Sequence, residues 1–110
     1  MKRGEVWTAS LDPIKGREQS GIRPVVIISG NDINDFTDLV IICPFTTALK
    51  PIKKCHVIKS TKSNGLTTIS QVLPFQIRAI SKERLLSKLG SLEDETTDLI
   101  IKDLNYFLLK

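Results

Sequence analysis

Only two cysteines and one histidine occur in this chain of 110 residues. Two cysteines allow one disulfide at most, and with a lone histidine they make no plausible zinc set. A single His also excludes acid–base chemistry by a histidine pair. No apolar run approaches the roughly 20 residues needed to span a membrane. There is no phosphate-binding GxxxxGK[ST] loop, no GxSxG elbow and no carboxylate pair at metal-ligand spacing. Internal repeats and low-complexity segments are missing as well. The opening Met1-Lys2-Arg3-Gly4-Glu5 runs straight into strand-like sequence, so no signal peptide is expected. A reducing cytoplasm is the simplest compartment.

What is present is ordinary for a soluble globular protein: 41% apolar and 25% charged residues. The length suits one domain over 1–110. Sixteen basic against 12 acidic residues give a net charge of +4. That balance favours an anionic partner but does not define one.

The first half reads as β-structure. Residues 5–11 roughly alternate and end at the turn signal Asp12-Pro13. A polar loop follows to about Ile22. Residues 25–29 and 39–43 are β-branched apolar runs, expected as strands buried on both faces, broken by Gly30-Asn31-Asp32 and Pro44 respectively. Short strands are expected over 56–59, 66–73 and 76–80, with a hairpin turn at Ser63-Asn64-Gly65. Ser81 predicts the N-cap of a helix over 82–89, stopped by Gly90. Ser91-Leu92-Glu93-Asp94 opens a terminal helix with Ile100, Leu104 and Phe107 on one face, flanked by Ile101 and Leu108. The expected fold is mainly β with a C-terminal helix (α+β), a small barrel of about five to seven short strands. Cys43 reads as a buried hydrophobe and Cys55, beside two lysines, as exposed.

Two polar tips stand out. Gly16-Arg17-Glu18-Gln19-Ser20-Gly21-Ile22-Arg23-Pro24 delivers an arginine to the mouth of the apolar run 25–29. Pro44-Phe45-Thr46-Thr47 ends the next apolar run. A guanidinium there suits a phosphate, which it contacts through two parallel hydrogen bonds. The hydroxyl of Thr46 can donate to a non-bridging oxygen. A surface ion pair is the plain alternative for Arg23, and a turn-capping hydroxyl for Thr46. Lys50, Lys53 and Lys54 form a basic loop that either steers phosphate or is merely solvated. Trp7 and Phe45 are candidates for stacking on bases, with core packing the plainer reading of Trp7. His56 beside Cys55 tempts a nucleophile reading. Adjacent strand residues point to opposite faces, so His56 reads as a structural or surface residue.

The motif Arg3-Gly4-Glu5-Val6-Trp7, then Leu11-Asp12-Pro13, then Gly16-x-Glu18-Gln19-x-Gly21-x-Arg23-Pro24 resembles the MazF/PemK (Kid) family of toxin–antitoxin endoribonucleases. The likeness continues through Pro44-Phe45-Thr46-Thr47, through Gln76-Ile77-Arg78-Ala79-Ile80 and into Arg84-Leu85, so it covers essentially the whole chain. The resemblance implies an SH3-like barrel paired as a homodimer. It implies cleavage of single-stranded mRNA without metal or other cofactor, leaving a 2′,3′-cyclic phosphate and a 5′-hydroxyl. It implies a cognate antitoxin as partner and no membrane.

The motif arginine and threonine fall on Arg23 and Thr46, as catalytic residues. Glu18, Gln19, Thr47, Lys50 and Arg78 follow as candidate RNA contacts. One branch of the family also uses a carboxylate before the Gln-x-Arg segment and a histidine early in the first loop. Phe75 and Arg17 stand there in this chain, which leaves the general base unassigned. A non-catalytic relative that poisons a protein such as a topoisomerase, and a plain RNA-binding module, are the competing functions.

Overall fold

The computed structural model of the chain describes residues 1–11 and 21–109. Seven strands and two helices follow in order: β1 (Glu5–Ser10), β2 (Ile22–Ile27), α1 (Asn31–Phe36), β3 (Leu39–Thr46), β4 (Val57–Ile58), β5 (Ser70–Val72), β6 (Arg78–Ser81), β7 (Leu85–Ser91) and α2 (Asp94–Leu109). The strand order is β4-β5-β3-β2-β1-β7, with β6 paired to β3, and every pairing is antiparallel. This is a mostly β half-barrel with one C-terminal helix packed against it, as expected.

The apolar runs are continuous because both faces of the sheet are covered. On one face Val6, Val26, Cys43, Phe45 and Val72 pack with Leu92 and Ile100, the latter on α2. On the other, Ala9, Val25, Ile27, Val40 and Ile42 meet Ile80 of β6 and Leu85 of β7, so the sheet curls over itself. Ile100 is fully buried, with Ile101 and Leu104 packed beside it. Phe107 pairs with Phe75, whereas Leu108 is exposed.

Three expectations fail for physical reasons, and one helix was not expected. The helix over 82–89 is instead a single 3₁₀ turn (Lys82–Arg84) followed by β7. Ser81 does cap, accepting from the Glu83 N–H at 3.3 Å. The pairing of β7 with β1 shifts register twice, between Val6 and Trp7 and between Thr8 and Ala9. Each bulge adds a residue, so Leu85, Leu86 and Leu89 lose strand periodicity and mimic a helix. Pro44 does not stop β3. Its carbonyl accepts from Leu73 N–H at 2.9 Å, so its missing N–H faces the point where β5 ends and costs only a terminal ladder bond.

The polar break after β2 ends that strand and then forms α1. Buried Asn34 bonds back to Ser29 through both ends of its carboxamide, at 2.5 and 2.8 Å. Finally, the expected strand over 66–73 narrows to Ser70–Val72. Buried Asn64 shapes the preceding turn, accepting from Thr61 and Leu66 N–H. Gly65 lies at φ +70 there, its Cα packed so closely on β7 that a Cβ would meet the Leu89 carbonyl oxygen at 2.1 Å.

Candidate active site

Register brings the two polar tips together. The β2–β3 ladder pairs Val25 with Pro44, Val26 with Cys43 and Ile27 with Ile42. Two residues further along each strand, on the same face, stand Arg23 and Thr46. Arg23 also pairs with Ala9 of β1, and Thr46 with Gln71 of β5. One transverse row of the sheet therefore reads Ala9, Arg23, Thr46, Gln71. The apolar residues behind it hold the strand ends in place, and the polar row forms the rim of the second core.

Arg23 is half-buried. Thr46 is 5% exposed, and its Oγ1 accepts the Ala48 N–H at 3.1 Å. The turn-capping role is thus real. It occupies one lone pair and leaves the hydroxyl proton free to donate elsewhere. Thr47 and Lys50 are exposed on the segment after β3. Arg78 stands opposite Ile42, and its Nη1 donates to the Leu11 carbonyl at 3.4 Å. Arg84 donates to the neighbouring Ser10 carbonyl at 3.2 Å. Both acceptors are neutral, so these bonds fix the guanidinium groups without cancelling their charge. They stand at the base of the first loop, which Leu11 N–H closes on the Gly21 carbonyl at 2.9 Å. Arg84 escaped the site reading; its place in the motif after β6 was the signal available. Glu18, Gln19 and Arg17 lie outside the described residues.

Several candidates separate from this rim. Phe45 is 1% exposed in the core and cannot stack on a base. Trp7 is half-buried against the second core, its Nε1 donating to Glu5 Oε1 at 2.9 Å. Lys53 lies over the Tyr106 ring, 6.0 Å from its centroid. Lys54 is 3.8 Å from Asp103. Of the three lysines, Lys53 and Lys54 thus turn toward α2.

Cys55 is buried rather than exposed, covered where the chain turns back from Ile52, and burial pushes its thiol up from the ordinary value. Burial likewise pushes Cys43 up to about 12. His56 Nε2 is 2.8 Å from Asp103 Oδ2, a structural tie between the 50s segment and α2. A buried thiol of raised pKa beside an engaged imidazole is no nucleophile. Phe75 is half-exposed and rests on Phe107, so no carboxylate occupies that position.

Among the described residues no cluster of three His, Cys, Asp or Glu side chains could hold a metal ion. A groove of about 450 Å³ opens between β4 and the start of α2, lined by His56, Ile58, Asn64, Thr96 and Leu99 among others. None of the residues singled out for RNA lines it. No helix among the described residues is long and apolar enough to cross a membrane.

Residues 2–108 match the family described as PemK-like, MazF-like toxins of type II toxin–antitoxin systems. Endoribonuclease EndoA of Bacillus subtilis (strain 168) is 38% identical over 99 residues, covering 89% of this chain and 85% of the relative. A mycobacterial structure described as an endoribonuclease in complex with its cognate antitoxin superposes with a TM-score of 0.79 at 25% identity, over 98% of this chain and 94% of that one. MazF from Deinococcus radiodurans shares the fold with a TM-score of 0.84 at 22% identity, over 98% and 96%. A family match over residues 2–108, with a relative 38% identical over 89% of the chain, places this chain in the PemK-like, MazF-like toxin family.

Proposed function

We propose that this protein is a metal-independent endoribonuclease toxin that cuts single-stranded mRNA, inhibits translation and is neutralised by a cognate antitoxin. The observation that carries the reading is the juxtaposition of Arg23 and Thr46 on one face of neighbouring strand ends. Family membership and the endoribonuclease relative support it.

RNA supplies its own nucleophile. The 2′-oxygen bonds to phosphorus, its proton passes to a base, and the P–O5′ bond breaks with protonation of the leaving oxygen. The products are a 2′,3′-cyclic phosphate and a 5′-hydroxyl. Charge accumulates on the non-bridging oxygens as the phosphorane forms. Arg23, held by the β1–β2 ladder, meets that charge with a rigid, permanently protonated fork. Thr46 donates its hydroxyl proton to one of the same oxygens. Its burial fixes the donor before the substrate arrives, so little reorganisation is needed in the transition state.

Thr47 and Lys50 extend the contact along the exposed segment after β3, and Arg78 adds positive potential from β6. Glu18 and Gln19 of the first loop complete the proposed RNA contacts. The chain acts as a homodimer in the cytoplasm, its two copies sharing one continuous face. A chain of net charge +4 attracts RNA there, and equally an acidic antitoxin segment. Incubation with RNA in excess EDTA tests the proposal. Cleavage with 5′-hydroxyl ends is expected. Activity lost on chelation and restored by magnesium would overturn the mechanism.

A further inference from the structure

Gln71 is among the few polar side chains of the interior, 1% exposed on β5. An amide taken out of water costs free energy unless its oxygen and both N–H groups find partners. Here every partner belongs to one stretch of backbone. Oε1 accepts the Lys50 N–H at 2.7 Å. Nε2 donates to the Lys50 carbonyl at 2.8 Å and to the Cys55 carbonyl at 3.0 Å. Bonding both the N–H and the C=O of one residue is what a neighbouring strand does. The segment after β3 belongs to no strand until Val57. The Gln71 side chain therefore serves it as a strand one residue long.

The main chain of Gln71 pairs with Thr46 in the β3–β5 ladder. One residue thus holds Thr46 by its backbone and Lys50 by its side chain. We propose that Gln71 is a positioning residue, fixing Lys50 and Thr47 relative to the Thr46 hydroxyl and so setting how the RNA backbone enters the site. This rests on the reading of Thr46 and Lys50 as RNA contacts given above. Removing the amide leaves β2, β3 and the Arg23–Thr46 row as they are. It releases the bound segment, so binding suffers more than the chemical step.

Gln71→Met keeps an unbranched chain of similar volume and removes all three bonds. KM for a short single-stranded RNA rises about tenfold, the scale of one lost charge contact. The rate at saturation stays within about threefold of the parent. The slope of log affinity against log salt falls by about 0.7, one phosphate contact on a single strand. Lys50→Ala adds less than about twofold in the Gln71→Met background, because both changes remove the same contact. Amide hydrogen exchange in residues 47–55 quickens while β3 stays protected, a readout that needs no RNA.

Gln71→Glu is the second variant: it keeps the acceptor for the Lys50 N–H, loses both donors and produces the same split. An unchanged KM in an active, folded variant overturns the proposal, as does a Lys50→Ala loss that adds in full. Failure of both variants to fold assigns Gln71 to stability alone and overturns it too. The parent protein is assayed alongside: an inactive parent defeats the reading of the whole site, whereas an active parent with unaltered variants defeats Gln71 only.

Discussion

Replacing Thr46 by valine separates its two jobs. The hydroxyl accepts the Ala48 N–H at 3.1 Å, and its proton is left for the phosphate. Ala48 is exposed, so water replaces the lost acceptor, and the cost to stability is about 0.5–1 kcal/mol. The added methyl sits in a site only 5% exposed and offsets part of that. Losing a fixed donor to a developing oxyanion costs on the order of 10²-fold in rate, or about 2.7 kcal/mol. The catalytic loss thus exceeds the stability loss several times over.

Thr46→Ser inverts the pattern. It keeps the donor and gives up a buried methyl, about 0.8 kcal/mol of stability, with a rate within about tenfold of the parent. Urea midpoints give the stabilities, and single-turnover cleavage of a defined RNA gives the rates. A folded Thr46→Val protein cutting within about threefold of the parent would refute the role of the hydroxyl. A Thr46→Ser protein as slow as Thr46→Val would refute it equally, by pointing to shape instead.

Arg23→Ala should lose on the order of 10²-fold or more in cleavage for about 1 kcal/mol of stability, and Arg23→Lys should recover only part, since an ammonium lacks the fork; full activity in the lysine variant would remove the bidentate contact. His56→Ala should keep its cleavage rate yet unfold at lower urea, because Asp103 is left buried with Lys54 alone at 3.8 Å; loss of cleavage in a folded variant would restore the nucleophile reading. Burial raises the Glu5 carboxyl, but bonds from Trp7 and the Lys2 backbone, with Lys88 at 3.3 Å, more than reverse this and hold it below the ordinary carboxylate value. Its contribution is therefore complete above the ordinary carboxylate value and disappears as pH falls through the depressed one. The stability gap between the parent and Glu5→Gln should close as pH falls through that depressed value, and a gap that widens on acidification would contradict the assignment. Light scattering at micromolar concentration should find a species of twice 12.3 kDa; full activity in a 12.3 kDa monomer would rule out the dimeric face.

What the sequence made legible depended on how far each element is governed by its own residues. The apolar runs at 25–29 and 39–43 are strands because their β-branched side chains fill both faces, and nothing distant is needed to say so. The terminal helix carries its own acidic first turn and stripe, although Ser91, expected as its cap, ends β7 instead. β7 is different. Its backbone is decided by β1, and two bulges erase the alternation that would have revealed it. α1 is also decided from outside, by Asn34 reaching back to Ser29 and by Lys82 donating to the Asn34 carbonyl. Local propensity gives such segments no advance signal.

The same division runs through the site. Arg23 and Thr46 were legible because each ends an apolar run, and apolar runs announce strands. Their proximity was not, since it follows from a pairing sum (25 with 44) that no single segment contains. Burial of Cys55 and Phe45 was misjudged because charged or polar neighbours in sequence are not neighbours in space. Gln71 was invisible for a related reason. A glutamine in a short strand reads as a solvent-facing residue. Only the return of the chain at Lys50 and Cys55 gives its amide three partners. Groups whose chemistry suits a phosphate can thus be picked out by type and position. Groups that hold them in place become visible only when the fold closes, and substitutions at those buried positions should alter affinity and salt dependence before they alter the chemical step.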